Sequence, residues 1–545
     1  MKQRRGVPVS LALILVVLAA VQLAASSTGI FDSVIDQLDL LVDVRHQIVE
    51  NHVEEPDEEA MIRSAVQGMI ESLEDPYTAY LSPEDLESFD RYITGSFTGI
   101  GAEVDLSEGR RLRIVTPLAD SPAWEAGVMP GDIVLEIDGE STEDMSLPEA
   151  IDRLTGEAGT DVVILVRHES GEKEKITITR DVIQVRSVRG FQRGSDQRFQ
   201  YMLGPNSQVG YIRVTQFIDK TADELRKALR QVKQQGAEVV ILDLRFNPGG
   251  LLESALDVSD LFLDDGEMIV STEGRAVPGQ AFHASGETLL PDMPVIVLAN
   301  EASASAAEIV TGALKDHDRA LVIGARTFGK GSVQQVKMLR DGLGAMKITN
   351  AYYYLPSGRL IHRREDSDTW GVDPSEGSYV PMNPEQIREM LDTRRQADVV
   401  QNGDEPAGTT EVTPEWLEQE LKDIQLAAAL RAARQRIETG RWPEVGRSDV
   451  GALVAANKRA NLVQRRNLLK EELAEVEQEL TTLASGEPGE SAAAAEEPGD
   501  EPGEPISDRE LPPTDPERVR DAVEQTQEEL IEQETDRERE PVEQP

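Results

Sequence analysis

Between Val209 and Pro374 short apolar runs alternate with helical periods, and this alternation restricts the fold more than any other feature of the chain. Val239–Leu244 and Pro294–Ala299 are near-continuous apolar strands, with Gly210–Val214 before them and Ala320–Ile323 after. Helical segments over Ala222–Gln235, Ser254–Leu263 and Ala306–Leu314 fall between them. Strands near 332–338 and 346–354 follow, so the region reads as an α/β unit with antiparallel strands at one edge.

At 545 residues the chain exceeds the size at which one core usually stops growing, so several domains are expected in a multidomain α+β protein. Its 39% hydrophobic content suffices for globular cores. The net charge of −46 is uneven, with much of it in roughly the last sixty residues. Glu, Asp and Pro alternate there with little to bury, which predicts a solvated, disordered tail over 485–545. The acidic balance argues against nucleic acid as a partner, since phosphate binding needs a basic face. With no cysteine there is no disulfide, thiol nucleophile or Cys-ligated zinc. Met1–Arg5 is basic, and Val7–Ala25 is almost wholly apolar and ends in small residues. Residues 1–27 therefore read as a secretory signal or as an uncleaved membrane anchor. Both place the remainder outside the cytoplasm.

Residues 28–95 read as a helical region. Apolar residues from Ile30 to Ile48 recur at helical spacing, and a second stripe runs from Met61 to Leu73. Asp75-Pro76 ends it, with a turn over Tyr77–Leu81. From 96 to 185 short strands take over: Leu112–Val115, Ile133–Ile137, Val162–Val166 and Ile176–Thr179, with helices after Ser121 and over Leu147–Leu154. Ser121–Glu140 and the Gly99-Ile100-Gly101 turn resemble a PDZ domain of the bacterial, circularly permuted type. That resemblance implies that Gly99, Ile100, Gly101 and Ala102 form the loop binding a peptide's terminal carboxylate through backbone N–H groups. A glycine turn in a β domain is the plainer alternative. Past the α/β core at 186–376, residues 377–484 are helical and charged. Leu462, Leu469, Val476 and Leu483 fall at sevenfold spacing, which suits a coiled coil and a homo-oligomer, although Arg466 interrupts the seam.

Ser305 stands where an apolar strand gives way to Ala306-Ala307-Glu308-Ile309, at the positive end of a helix. The Ala306 N–H is unpaired at such a helix start and can face a developing oxyanion. On position alone, the N-cap reading of Ser303 and Ser305 is the stronger one. Lys330 lies between Gly329 and Gly331, so backbone can approach it closely. Burial can lower a lysine's pKa enough to make it a base for a serine, and Gln334, four residues on, could orient the amine. Gly324–Lys330 also fits the first places of a phosphate-binding loop, but Gly331 replaces the metal-holding Ser or Thr and a strand follows where a helix is needed. Gly249 and Gly250 follow the strand Val239–Leu244, where their N–H groups could converge on a reacting oxygen; a plain turn is the alternative. The six histidines show no metal spacing. His317, nearest the site in sequence, reads as structural, as does an Asp243–Arg245 pair. No metal or nucleotide is needed.

Taken in order, the helical leader, the PDZ-like unit, Asp243–Gly250, Ser303–Leu314, Arg326–Gln335 and Tyr352–Ile361 resemble the C-terminal processing peptidases, or tail-specific proteases, over roughly residues 35–375. The resemblance implies a serine endopeptidase with a crotonase-like α/β core and no cofactor. The family's nucleophile stands twenty-five residues before its lysine, which selects Ser305 over Ser303. Lys330 is then the implied general base and Gln334 its assistant. Ala306 and the Gly249-Gly250 turn are the implied oxyanion donors. Substrates would be proteins with apolar C-termini, met in the periplasm or at the outer face of a bacterial inner membrane, with membrane association through the N-terminal apolar segment. Two other readings stay open: a catalytically silent PDZ scaffold of the cell envelope, and a Ser–Lys amidase.

Overall fold

The computed structural model describes residues 38–448, apart from 107–110, 119, 169, 195–197, 287, 365, 366, 368 and 399–410, and a few isolated positions beyond. The N-terminal apolar segment, most of the heptad stretch and the acidic tail lie outside the described residues.

The core sheet has the order Val188–Arg189, Val209–Val214, Val239–Asp243, Val295–Ala299 and Ala320–Gly324, and its last four strands are parallel. Parallel neighbours need crossovers, which contain the helices Thr221–Gln234, Leu252–Asp260 and Ala306–Asp316. On the face these helices cover, Leu225, Leu229, Val258 and Ile309 belong to one buried cluster with Val240, Leu242, Val295 and Val297. The alternate residues Val239, Ile241, Ile296 and Leu298 are equally buried on the other face. Leu417, Leu426, Ala427 and Leu430, from helices Pro414–Gln419 and Ile424–Thr439, cover that side. Coverage of both faces is why these strands read as unbroken apolar runs. The two covering helices fall in what the sequence assigns to an extension after residue 376. They form a layer of the core instead.

A buried ion cluster fastens this layer. Arg245 donates to both oxygens of Asp243, at 2.9 and 2.7 Å, and to both oxygens of Asp423, at 2.7 and 2.8 Å. Arg394, from helix Pro384–Asp398, reaches Asp423 at 2.9 Å, and the Tyr211 hydroxyl donates to Asp243 at 2.6 Å. Burial alone would raise the Asp243 carboxyl, but Arg245 and Arg394 hold it well below the usual carboxylate range. Asp423 is lowered for the same reason. The expected Asp243–Arg245 pair is therefore half of a four-residue cluster.

A second, antiparallel sheet joins Ala79–Leu81, Ala345–Tyr354, Met268–Glu273 and Gln280–His283, with Ser332–Met338 also paired to Ala345–Tyr354. Tyr77–Leu81 reads in sequence as a turn, yet Ala79–Leu81 pairs in register with Ala345–Lys347 and becomes a strand. A partner far along the chain decides that segment. The third sheet holds Ala102–Leu106, Leu112–Pro117, Ile133–Ile137, Asp161–Arg167 and Lys173–Thr179 around Ile114, Val134, Ile164 and Val166. Its flanks meet as a strand pair, Ser96–Gly99 on Asp181–Gln184. Among the described residues no helix is long and apolar enough to cross a membrane.

Replacing Asp423 by alanine leaves two buried guanidiniums with one carboxylate. Asp423→Ala should lose about 3–5 kcal/mol, read as a lowered urea midpoint. Both carboxyls titrate below their unfolded value of about 4, so the cluster's contribution is full at neutral pH and lost as pH falls through the folded values. An Asp423→Ala midpoint equal to that of the wild type at pH 7 would contradict this assignment.

Candidate active site

Ser305 stands at the head of helix Ala306–Asp316, as its place in the sequence predicts. Its backbone sits at φ 55° and ψ −115°, a conformation that side-chain-bearing residues rarely hold. Three contacts impose it. The Ala304 N–H donates to the Asn247 carbonyl at 2.9 Å. The Ser305 N–H donates to Glu308 Oε2 at 2.8 Å. Gly249, at φ 99°, presses so close that a Cβ there would lie 2.7 Å from Ser305 Cβ. Ser303 is differently placed: its hydroxyl donates to the Leu244 carbonyl at 2.8 Å and accepts from the Asn300 N–H at 3.0 Å.

Lys330 follows the strand Ala320–Gly324 on a loop that other backbone crosses closely. The Arg363 N–H donates to the Gly329 carbonyl at 2.8 Å and the Tyr353 N–H to the Gly331 carbonyl at 2.7 Å. A Cβ on Gly331 would lie 2.5 Å from the His362 nitrogen, so the glycine is required by packing. Gly331 leads into the strand Ser332–Met338, which is incompatible with a phosphate-binding loop.

One side chain joins the two loops. Glu308 is fully buried one turn into the helix that Ser305 begins. Its Oε2 accepts from the N–H groups of Ser305 and Lys330, both at 2.8 Å. Its Oε1 accepts from the Gly329 N–H at 2.7 Å and the Thr327 hydroxyl at 2.6 Å. Two bonds to one oxygen hold the amide nitrogens of Ser305 and Lys330 within about 5.6 Å of each other. Burial pushes the Glu308 carboxyl up, while its four donors pull against that shift. The Lys330 amine is lowered from its ordinary value by burial and then by Lys347, with Glu308 and Asp75 opposing. Its Nζ lies 5.0 Å from the centroid of the Tyr77 ring.

Three family models match the chain: peptidase family S41 over residues 208–376, a PDZ domain over 113–168, and the activating protease CtpB N-terminal domain over 20–85. A carboxy-terminal-processing protease of Bartonella bacilliformis is 38% identical over 331 residues, covering 60% of this chain and 72% of that protein. The chain belongs to the carboxy-terminal processing proteases of family S41. It is therefore a serine peptidase. Carboxy-terminal processing protease CtpA of Bacillus subtilis is 35% identical over 357 residues, covering 66% of this chain and 71% of that one. The solved photosystem II D1 C-terminal processing protease is 30% identical, with a TM-score of 0.37, and covers 64% of this chain and 87% of that one.

Elsewhere in the peptidase the expected site residues fare unequally. The Gly249 N–H, expected to meet an oxyanion, donates to Asn247 Oδ1 at 2.8 Å and is occupied. Among the described residues nothing accepts from the N–H groups of Gly250 or Ala306. Gln334 donates from Nε2 to the Ser332 hydroxyl at 2.8 Å and to the Thr349 hydroxyl at 3.2 Å, and not to Lys330. In the PDZ domain the Gly101 N–H likewise has no acceptor among the described residues, while Ile100 adjoins the bridge between Gly99 and Thr155. Gly101 is at φ 76°, and a Cβ on it would lie 2.5 Å from Ser121 Cβ. The Ile100 side chain and Gly99 are buried, and Ala102 begins the next strand.

His317 is structural, with Nε2 2.7 Å from the Met268 carbonyl. The histidine near the site is His362, whose ring meets Tyr77 edge-on. Sequence reasoning missed His362, Tyr77 and Glu308. Only Glu308 left a trace, a glutamate three residues after an N-terminal serine. Glu308→Gln would turn an NH₂ toward at least one of four donors. That variant should lose on the order of 10- to 100-fold in kcat with an unchanged far-ultraviolet circular dichroism spectrum. Undiminished kcat would show that the clamp is dispensable.

Proposed function

We propose that this serine peptidase is an endopeptidase that takes proteins by their C-terminal tails, with Ser305 as nucleophile and Lys330 as general base. The observation that carries the reading is the single Glu308 oxygen shared by the two backbones, which brings both residues to one place. A lysine made less basic by burial is neutral more often, and only the neutral amine can take a proton. In the first step Oγ of Ser305 attacks the scissile carbonyl while its proton passes to Nζ. The carbonyl π pair moves to oxygen, where the Gly250 and Ala306 N–H groups can receive it. Collapse breaks the C–N bond, and the leaving amine takes the proton from Lys330. An acyl ester on Ser305 remains. Lys330 then deprotonates water, which attacks the ester; collapse breaks the bond to Ser305 Oγ, which takes the proton back from Lys330 as the acid is released.

Gln334, whose amide oxygen accepts from nothing among the described residues, is assigned the role of orienting the Lys330 amine. The Gly99–Ala102 loop, with the Gly101 N–H unengaged, suits a terminal carboxylate, while an apolar tail would add along the strand Ala102–Leu106. The basic and then apolar N-terminus would export the chain to the periplasmic side.

Ser305→Ala and Lys330→Ala should each lower turnover by several orders of magnitude at unchanged melting temperature. Because the neutral amine is the active form, kcat/KM should rise with pH through a value below lysine's ordinary value of about 10.4. A flat profile across that range removes Lys330 from the base role. Amidating the terminal carboxylate of a peptide substrate should raise KM severalfold with little change in kcat. Equal KM for acid and amide would sink the PDZ-loop assignment.

A further inference from the structure

Tyr77 belongs to the segment that precedes the PDZ domain, yet its ring faces the Lys330 amine at 5.0 Å from the centroid. The ring is held from several directions. The Tyr77 N–H donates to Asp75 Oδ1 at 3.0 Å, and Asp75 Oδ2 accepts from the Thr78 hydroxyl at 2.6 Å. Thr78 Oγ1 accepts in turn from the Thr349 N–H at 3.1 Å. Ala79–Leu81 then pairs along Ala345–Lys347. The Tyr77 ring meets His362 at 6.2 Å with planes 67° apart, and His362 packs on Tyr352 at 4.9 Å. Among the described residues the Lys330 amine makes no hydrogen bond, and it lies over the face of the Tyr77 ring.

We propose that Tyr77 is a positioning residue for Lys330: its ring face seats the amine at the active site and stabilises the ammonium formed when the lysine takes the serine's proton. The proposal rests on Lys330 being the base. An ammonium is attracted to the negative face of an aromatic ring, and a neutral amine is not. The ring therefore favours the state that exists between proton abstraction and protonation of the leaving amine. Burial acts the other way. The charged groups facing the amine divide similarly: Lys347 on the strand Ala345–Tyr354 disfavours the ammonium, while Glu308 on the helix and Asp75 beside Tyr77 favour it. Burial holds the Tyr77 hydroxyl above its ordinary value, and Glu308 and Asp75 add to that shift, so the ring stays uncharged where the enzyme works. The short strand Ala79–Leu81 is thus what carries one wall of the catalytic lysine's seat into place.

The test uses the full chain with Tyr77→Phe, Tyr77→Leu, and a trifluorinated phenylalanine at position 77, which keeps the ring's shape and weakens its negative face. Two readouts are taken. One is the pH profile of kcat/KM on a peptide; the other is the titration of the Lys330 amine, followed by pulsed acetylation and mass spectrometry. Tyr77→Leu should move the rising limb to lower pH by about half a unit to one unit and cut plateau kcat about 3- to 30-fold. Tyr77→Phe should restore both. The fluorinated ring should fall between them, and it carries the test alone if Tyr77→Leu does not fold. An unmoved amine titration in the leucine and fluorinated variants overturns the proposal, as does a Tyr77→Phe shift as large as that of Tyr77→Leu. An amine titration that moves while the activity limb does not upholds the ring contact and removes Lys330 as the base.

Discussion

Glu308 is an acceptor-only side chain with no exposure, and its position organises the chain around Ser305. A buried carboxylate is tolerable only when its lone pairs are met by donors. Here the donors come from the helix start at Ser305 and the loop Thr327–Lys330, which are otherwise independent pieces of chain. The requirement to satisfy one charge thus sets the distance between the backbones of Ser305 and Lys330. It also holds Ser305 in a backbone conformation that the residue would not adopt alone.

A second buried electrostatic group supports the site from behind. Asp243 ends the strand and Arg245 lies in the turn that leads into Asn247–Gly250, and Asn247 is the residue that anchors both Ala304 and Gly249. Pinning Arg245 between Asp243 and Asp423 therefore steadies the loop that faces the serine. Asp423 comes from the C-terminal layer, so the packing of that layer and the geometry of the Asn247–Gly250 loop are mechanically linked. Removing a partner from such a cluster is costly because the remaining charge stays in a site of low polarity.

The parts of the site that could be read in sequence are those whose signal is local. Glycines on both sides of Lys330, and the step from apolar strand to helix at Ser305, are short-range patterns with steric reasons, and the structure supplies the close backbone contacts they suggest. The expected donor at Gly249 failed because the Asn247 side chain folds back over two residues to take that N–H, a choice of rotamer that composition does not reveal. Tyr77–Leu81 carries turn residues at its start, and only a strand contributed by Ala345–Lys347 makes its second half extended. The helix Ile424–Thr439 looked like part of a charged extension because the apolar surface it covers lies on strands more than a hundred residues earlier.

Sequence by itself determined the strand and helix periods of the core and the step from strand to helix at Ser305, since each depends on the sterics and polarity of a few consecutive residues. It determined that the central strands would be buried, because unbroken apolar runs have no solvent face to offer. Only the tertiary structure decided which donors the Glu308 carboxylate would gather, which acids Arg245 would meet, and that a tyrosine from the N-terminal segment would stand beside Lys330. Hydrogen bonds and ion pairs act over a few ångströms of space, and residues far apart in the chain come within that range only after the layers have packed.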